Sequence, residues 1–182
     1  MRRQSVFQRF LAAIASLDLP KCLNRAANQV FHLEATAFVA RLPEVAEHPF
    51  VIYADPPYSR AQYSRYYHIL ETLVLYDYPS ISAKARYREG RFNTAFSRTA
   101  GVADAMRQFV AAAAKTGAPL YLSYPKNGLL YKAGAEPLEI LLEYYPLASL
   151  AATTPLAHST LGGAPGTAYT HVLEDLYYAR WE

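Results

Sequence analysis

At 182 residues the chain amounts to one domain or slightly more, long enough to bury about 70% of the surface its unfolded form exposes. Its 52% apolar and 18% charged content excludes a disordered chain, and its single cysteine, Cys22, excludes an internal disulfide. A net charge of +3 permits nucleic-acid binding without demanding it, while the 16 tyrosines offer stacking area with a polar tip.

Arg2 and Arg3 precede an apolar stretch that superficially resembles a signal peptide, but Gln8 and Arg9 interrupt it. No run approaches the roughly 18 apolar residues of a transmembrane helix. The expectation is a cytoplasmic protein with no membrane partner, and the lone cysteine fits a reducing compartment. Val6, Phe10, Leu11, Ile14 and Leu17 recur at helical spacing and Pro20 ends the segment, so residues 1–27 are expected to form an N-terminal helical segment. Val30-Phe31-His32-Leu33 reads as a short strand, followed by a helix over 35–42 that stops before Pro43.

Residues 50–54 are apolar throughout, too short for a helix and stopped by proline, which predicts a fully buried parallel strand. Pro56 and Pro57 fix φ and lack N–H donors, so the chain leaves the sheet on a rigid course. Asp55 is thereby held at the carboxyl end of a strand, where open α/β sheets bind ligands. A carboxylate there accepts one hydrogen of an exocyclic amine, the Pro56 carbonyl accepts the other, and the Tyr58 ring stacks on the base, worth about 1–3 kcal/mol.

Asp55-Pro56-Pro57-Tyr58 resembles the catalytic motif of the N6-adenine DNA methyltransferases of restriction–modification systems. Ser59-Arg60-Ala61-Gln62-Tyr63-Ser64-Arg65-Tyr66-Tyr67-His68-Ile69-Leu70-Glu71-Thr72-Leu73 is similar to the segment that follows the motif in one bacterial branch of that family. The resemblance implies an α/β, Rossmann-like fold, S-adenosylmethionine as cofactor and DNA as partner. It gives Asp55, Pro56, Pro57 and Tyr58 the catalytic roles. Glu34 then has two readings: an acid at a strand end contacting the adenosine part of the cofactor, or a first-turn helix acid favoured by the dipole.

The block after the motif predicts a helix running to about Tyr76, with Arg60 and Arg65 near its start in reach of phosphates. His68 reads as a satisfied, half-buried histidine in preference to a catalytic one. In residues 79–101, Lys84, Arg86, Arg88, Arg91 and Arg98 stand against Glu89 alone, a net +4 that exceeds the charge of the whole chain. Tyr87, Phe92 and Phe96 are interleaved with them. Arg86, Arg88 and Arg91 are candidate DNA contacts in an irregular loop, the alternative being a solvated loop with anchoring aromatics.

Val102, Met106, Phe109, Val110 and Ala113 predict the next helix, with Lys115 in its last turn and Gly117 past its end. Residues 119–124 predict a second buried strand, parallel to the first across a crossover. It places Ser123 and Tyr124 beside Asp55, and the resemblance makes them the lining of the target-base pocket. Lys126 follows as a weaker DNA contact. A last helix around Leu138, Ile140, Leu141, Leu142 and Tyr145, and strands over 147–153 and 170–178 joined through Gly162–Gly166, complete the expected sheet.

The family's cofactor site needs a glycine-rich turn after its first strand. This chain has no glycine before Gly90, and the Gly162–Gly166 cluster has no strand with a terminal acid leading into it. Residues 28–182 are therefore expected to be the C-terminal half of a methyltransferase catalytic domain, incomplete on its N-terminal side. The expected function is a site-specific adenine methyltransferase in truncated or split form, partnered by a complementary N-terminal half. The alternatives are a non-catalytic DNA-binding remnant or subunit of a split enzyme, and an RNA guanine methyltransferase. No metal site is expected.

Overall fold

The computed structural model describes residues 5–16, 29–46, 49–82, 86–158 and 170–182. Cys22, Leu17, Pro20, Lys84 and the Gly162–Gly166 cluster lie outside the described residues. The chain divides into two compact units, Met1–His32 and Leu33–Glu182.

In the first unit, helix α1 spans Val6–Ser16 as its apolar spacing predicts. Ser5 and Gln8 close its start reciprocally: the Gln8 N–H donates to Ser5 Oγ at 3.2 Å and the Ser5 N–H to Gln8 Oε1 at 3.1 Å. Val30-Phe31-His32-Leu33 does not form the expected strand. An apolar run this short does not make a strand without a neighbour to pair with, and Val30, Phe31 and Leu33 are exposed.

The second unit is a mixed α/β structure. Helix α2 (Ala35–Val45) runs through Pro43 instead of stopping before it. Pro43 sits in the last turn and removes the one N–H that would meet the Val39 carbonyl, while the Ala46 N–H closes on the Leu42 carbonyl. The motif follows strand β1 (Ile52–Ala54). Helices α3 (Tyr63–Tyr66) and α4 (His68–Leu75) replace the single helix expected, and Tyr76 ends α4 with φ 50°. Residues 79–101 are not wholly irregular. Strands β2 (Ile81–Ser82) and β3 (Tyr87–Arg88) pair as a short antiparallel hairpin, and a 3-10 turn spans Ala95–Ser97.

Helix α5 (Val102–Lys115) buries Val102, Met106, Phe109, Val110, Ala113 and Ala114, and Gly117 leaves it at φ 75°, a backbone that favours glycine. It leads into β4 (Leu120–Pro125), then helices α6 (Leu129–Lys132) and α7 (Pro137–Leu142). Strands β5 (Leu147–His158) and β6 (Thr170–Arg180) are longer than predicted and form an antiparallel pair with a bulge between Leu150 and Ala152. The sheet order is β1-β4-β6-β5, with β4 parallel to β1 and antiparallel to β6.

The core lies against one face of this sheet. Leu120, Leu122, Tyr124, Tyr177 and Ala179 pack there with Met106, Val110, Leu130, Ile140 and Leu141 from the helices. The other face carries Tyr53, Tyr121 and Tyr178 in register across three strands, the last two stacked at 4.6 Å. β1 is not buried on both faces as expected: Ile52 and Ala54 are buried, but Tyr53 is 66% exposed. Among the described residues it is the edge strand, paired with β4.

Candidate functional site

Parallel strands β1 and β4 end at the same side of the sheet, and Ala54 pairs with Leu122. Asp55 and Ser123 therefore occupy neighbouring positions at that end. Asp55 is exposed, and Pro56, Pro57 and Tyr58 are half-buried. The Tyr58 carbonyl accepts the Leu129 N–H at 2.8 Å, which pins the motif to the turn between β4 and α6. Gly128 makes that turn possible. A Cβ there would stand 2.3 Å from the Tyr124 ring and 2.8 Å from the Pro125 carbonyl, closer than any side chain tolerates. Among the described residues no hydrogen bond reaches the Pro56 carbonyl.

Burial raises the Tyr58 hydroxyl above the ordinary tyrosine range, and the nearby Glu174 and then Asp55 raise it further. Tyr63, at the start of α3, is raised by burial and then by Asp55 and Tyr58. Asp55, Tyr58, Tyr63 and Glu174 thus share one electrostatic neighbourhood. Ser123 is buried and its hydroxyl donates to Glu174 Oε1 at 2.5 Å. Glu174 and Tyr63 were not singled out from sequence. Tyr63 stood within the helix block, whereas Glu174 lies in a strand that returns 51 residues after Ser123, with no local signal.

Tyr124 is a correction. It lies wholly in the core, its hydroxyl accepting the Leu130 N–H at 2.9 Å, because successive residues of a strand face opposite sides and Ser123 takes the open one. Lys126 is half-exposed and stands 3.8 Å from the buried Asp175, which Thr153 and Tyr177 also hydrogen-bond. Glu34 is the N-cap of α2, accepting the Ala37 N–H at 3.0 Å and the Thr36 hydroxyl at 3.3 Å, so the helix-acid reading describes it.

The basic residues separate into two kinds. Arg88 grips Asp77 with both guanidinium nitrogens, which holds the Asp77 carboxyl below its usual range. Arg65 and Arg91 stack over the Tyr87 ring at 5.3 and 4.5 Å, and Arg65 also donates to the Tyr87 hydroxyl at 3.1 Å. His68 packs edge-on against the same ring, the packing role expected of it. Arg60 reaches Thr99 Oγ1 at 3.3 Å and stays exposed, as does Arg86.

S-adenosylmethionine does not fit the described residues by themselves. Among them no strand lies beyond β1, no glycine turn precedes Asp55, and the Glu34 carboxylate is engaged in its cap. No group of His, Cys, Asp and Glu that could hold a metal occurs among the described residues, and none of their helices is long and apolar enough to cross a membrane. A surface hollow lined by Ala111, Ala114, Lys115, Gly117, Tyr144 and Trp181 lies where α5 leads into β4, at the opposite end of the strands from Asp55.

No family model and no solved structure matches the chain. It is similar to the type II methyltransferase M.FokI of Planomicrobium okeanokoites, 37% identical over 65 residues. Those residues are 36% of this chain and 9% of that protein, so the chain spans less than a tenth of this relative. The likeness is partial, and it is to a methyltransferase.

Proposed function

We propose that the chain carries the acceptor-base side of an N6-adenine DNA methyltransferase of Rossmann-like fold. The observation that carries this is Asp55-Pro56-Pro57-Tyr58 at the carboxyl end of a parallel strand, with Ser123 at the next strand end, in a chain partly similar to a type II methyltransferase. Asp55 and the Pro56 carbonyl accept the two amine hydrogens of the target adenine, and Tyr58 stacks on its ring. Withdrawing the two hydrogens toward acceptors leaves the nitrogen lone pair available. The adenine is extruded from the duplex to reach them, at a cost of a few kcal/mol. Arg60 and Arg86 contact the DNA backbone.

S-adenosylmethionine supplies the methyl group when bound. The glycine turn and ribose-binding acid that would hold it are supplied by a complementary half, whose strand adds to the exposed edge of β1. This chain on its own is therefore expected to show no S-adenosylmethionine binding by calorimetry. The acceptor side is testable directly. In a nuclear magnetic resonance titration, an adenine-containing single-stranded oligonucleotide should shift resonances of Asp55, Tyr58, Tyr63 and Ser123. Asp55→Ala should weaken that binding about tenfold, the equivalent of one charge-assisted hydrogen bond. Shifts confined to other regions, or an Asp55 variant that binds equally well, would remove the assignment.

A further inference from the structure

Glu174 has no part in the amine grip as so far described, yet it meets two members of the site. It accepts the Ser123 hydroxyl at 2.5 Å, and it lies close enough to Tyr58 to act on that hydroxyl more strongly than Asp55 does. The register explains the meeting. Ser123 pairs with Leu176 and Pro125 with Glu174, so Ser123 and Glu174 stand diagonally across β4 and β6 on the same face.

An ionised carboxylate only accepts hydrogen bonds, and a serine hydroxyl has one hydrogen to give. While that hydrogen points to Glu174, the Ser123 oxygen has only acceptor capacity left, strengthened by the charge it donates to. The Asp55 carboxylate and the Pro56 carbonyl are acceptors too. Three acceptors at one strand end suit a ligand group made of N–H donors and repel a carbonyl oxygen.

We propose that Glu174 is a positioning residue that fixes Ser123 as an acceptor and so makes this site select bases bearing an exocyclic amine over bases bearing a carbonyl at the same place. The proposal rests on the base-binding reading of Asp55 and Tyr58. A carbonyl base would bury its oxygen against lone pairs with no donor to meet it, and sites built to pair one hydrogen-bonding group reject the analogue lacking it.

The full chain titrated with 2′-deoxyadenosine and with 2′-deoxyinosine provides the test, affinities being read by nuclear magnetic resonance. The wild type should bind deoxyadenosine about tenfold or more tighter, one hydrogen bond's worth. Glu174→Gln keeps the size but offers an amide N–H to Ser123, which frees the serine hydroxyl to donate outward. The ratio should then fall to within about twofold. Ser123→Ala should lower it likewise, and Glu174→Gln added to Ser123→Ala should change it no further. A merely structural Glu174 would weaken both nucleosides together and leave the ratio alone, which overturns the proposal. Equal binding of the two nucleosides by the wild type also overturns it, with the base-binding reading intact. If neither nucleoside moves the Asp55 and Tyr58 resonances, the base-binding reading and this inference fall together.

Discussion

Leu122 and Tyr53 sit on adjacent strands of one sheet, one register step apart, yet the first is wholly buried and the second 66% exposed. The difference runs through the whole unit. Around β4 and β6, helices α5, α6 and α7 seal one face, and even the polar groups are satisfied there: Asp175 by Thr153 and Tyr177, Tyr145 by the Ala118 carbonyl. β1 is the edge strand among the described residues, and α4, apolar in five of its eight positions, buries none of its residues. An apolar helix and a parallel edge strand normally find cover. The site lies on the line between the two regions, with Ser123 and Glu174 in the packed part and Asp55 on the open part.

A pair of truncations measures that contrast most directly. Leu122→Ala should destabilise the chain by about 2–5 kcal/mol, since it removes fully buried methyl groups and leaves a cavity. Tyr53→Ala, one strand away, should change stability by no more than about 0.5 kcal/mol. Urea midpoints for the two variants decide it. A comparable loss at Tyr53 would mean that its face of the sheet is covered in solution.

Alkaline pH acts most strongly on the packed region. Burial raises the Tyr145 and Tyr177 hydroxyls well above the ordinary tyrosine value, and at Tyr177 the partners Tyr131 and Asp175 add to it. With the folded pKa above the unfolded one, near 10, the folded state holds these protons more tightly. Their contribution is fully present below about pH 10 and is lost as pH rises from there toward the folded values, by about 1.4 kcal/mol per pH unit for each tyrosine. Unfolding followed by circular dichroism between pH 9 and 12 should show that loss, and Tyr145→Phe should flatten it. An unchanged slope in Tyr145→Phe would mean that Tyr145 ionises as easily folded as unfolded.

The same division sets what sequence alone could reveal. The packed elements were legible because apolar spacing and glycine or proline punctuation act locally: α5 with Gly117 after it, β4, and the closing pair β5 and β6. The motif was legible because Pro56 and Pro57 fix the path of the backbone whatever surrounds it. Tyr124 was misjudged because a strand end names two candidate side chains, and only the packing of Gly128 and Leu130 says which of them turns inward. Glu174 was missed because the contact that brings it to Ser123 is made by strand register, which no stretch of sequence near either residue encodes. In the open region, a run of arginines looked uniform although Arg88 and Arg86 have quite different neighbours.

Those two arginines give the finest test of the open region. Both belong to the basic segment, and by charge alone both are equal candidates for DNA phosphates. The structure separates them. The Arg88 guanidinium is occupied by Asp77, and releasing it would leave that carboxylate unpaired beside the incoming phosphates. Arg86 is exposed, held at φ 53° in the turn that enters β3. If DNA lies along the hairpin, Arg86→Ala should flatten the salt dependence of DNA affinity by about 0.9 log unit per log unit of salt, the share of one phosphate contact. Arg88→Ala should leave that slope unchanged and instead loosen the hairpin, seen as faster hydrogen exchange at the Glu89 amide, which bonds the Ser80 carbonyl. Fluorescence anisotropy across a salt series separates the two outcomes. A slope that falls with Arg88→Ala and not with Arg86→Ala would show that DNA displaces Asp77 from its arginine, and that the ion pair is a latch opened by binding.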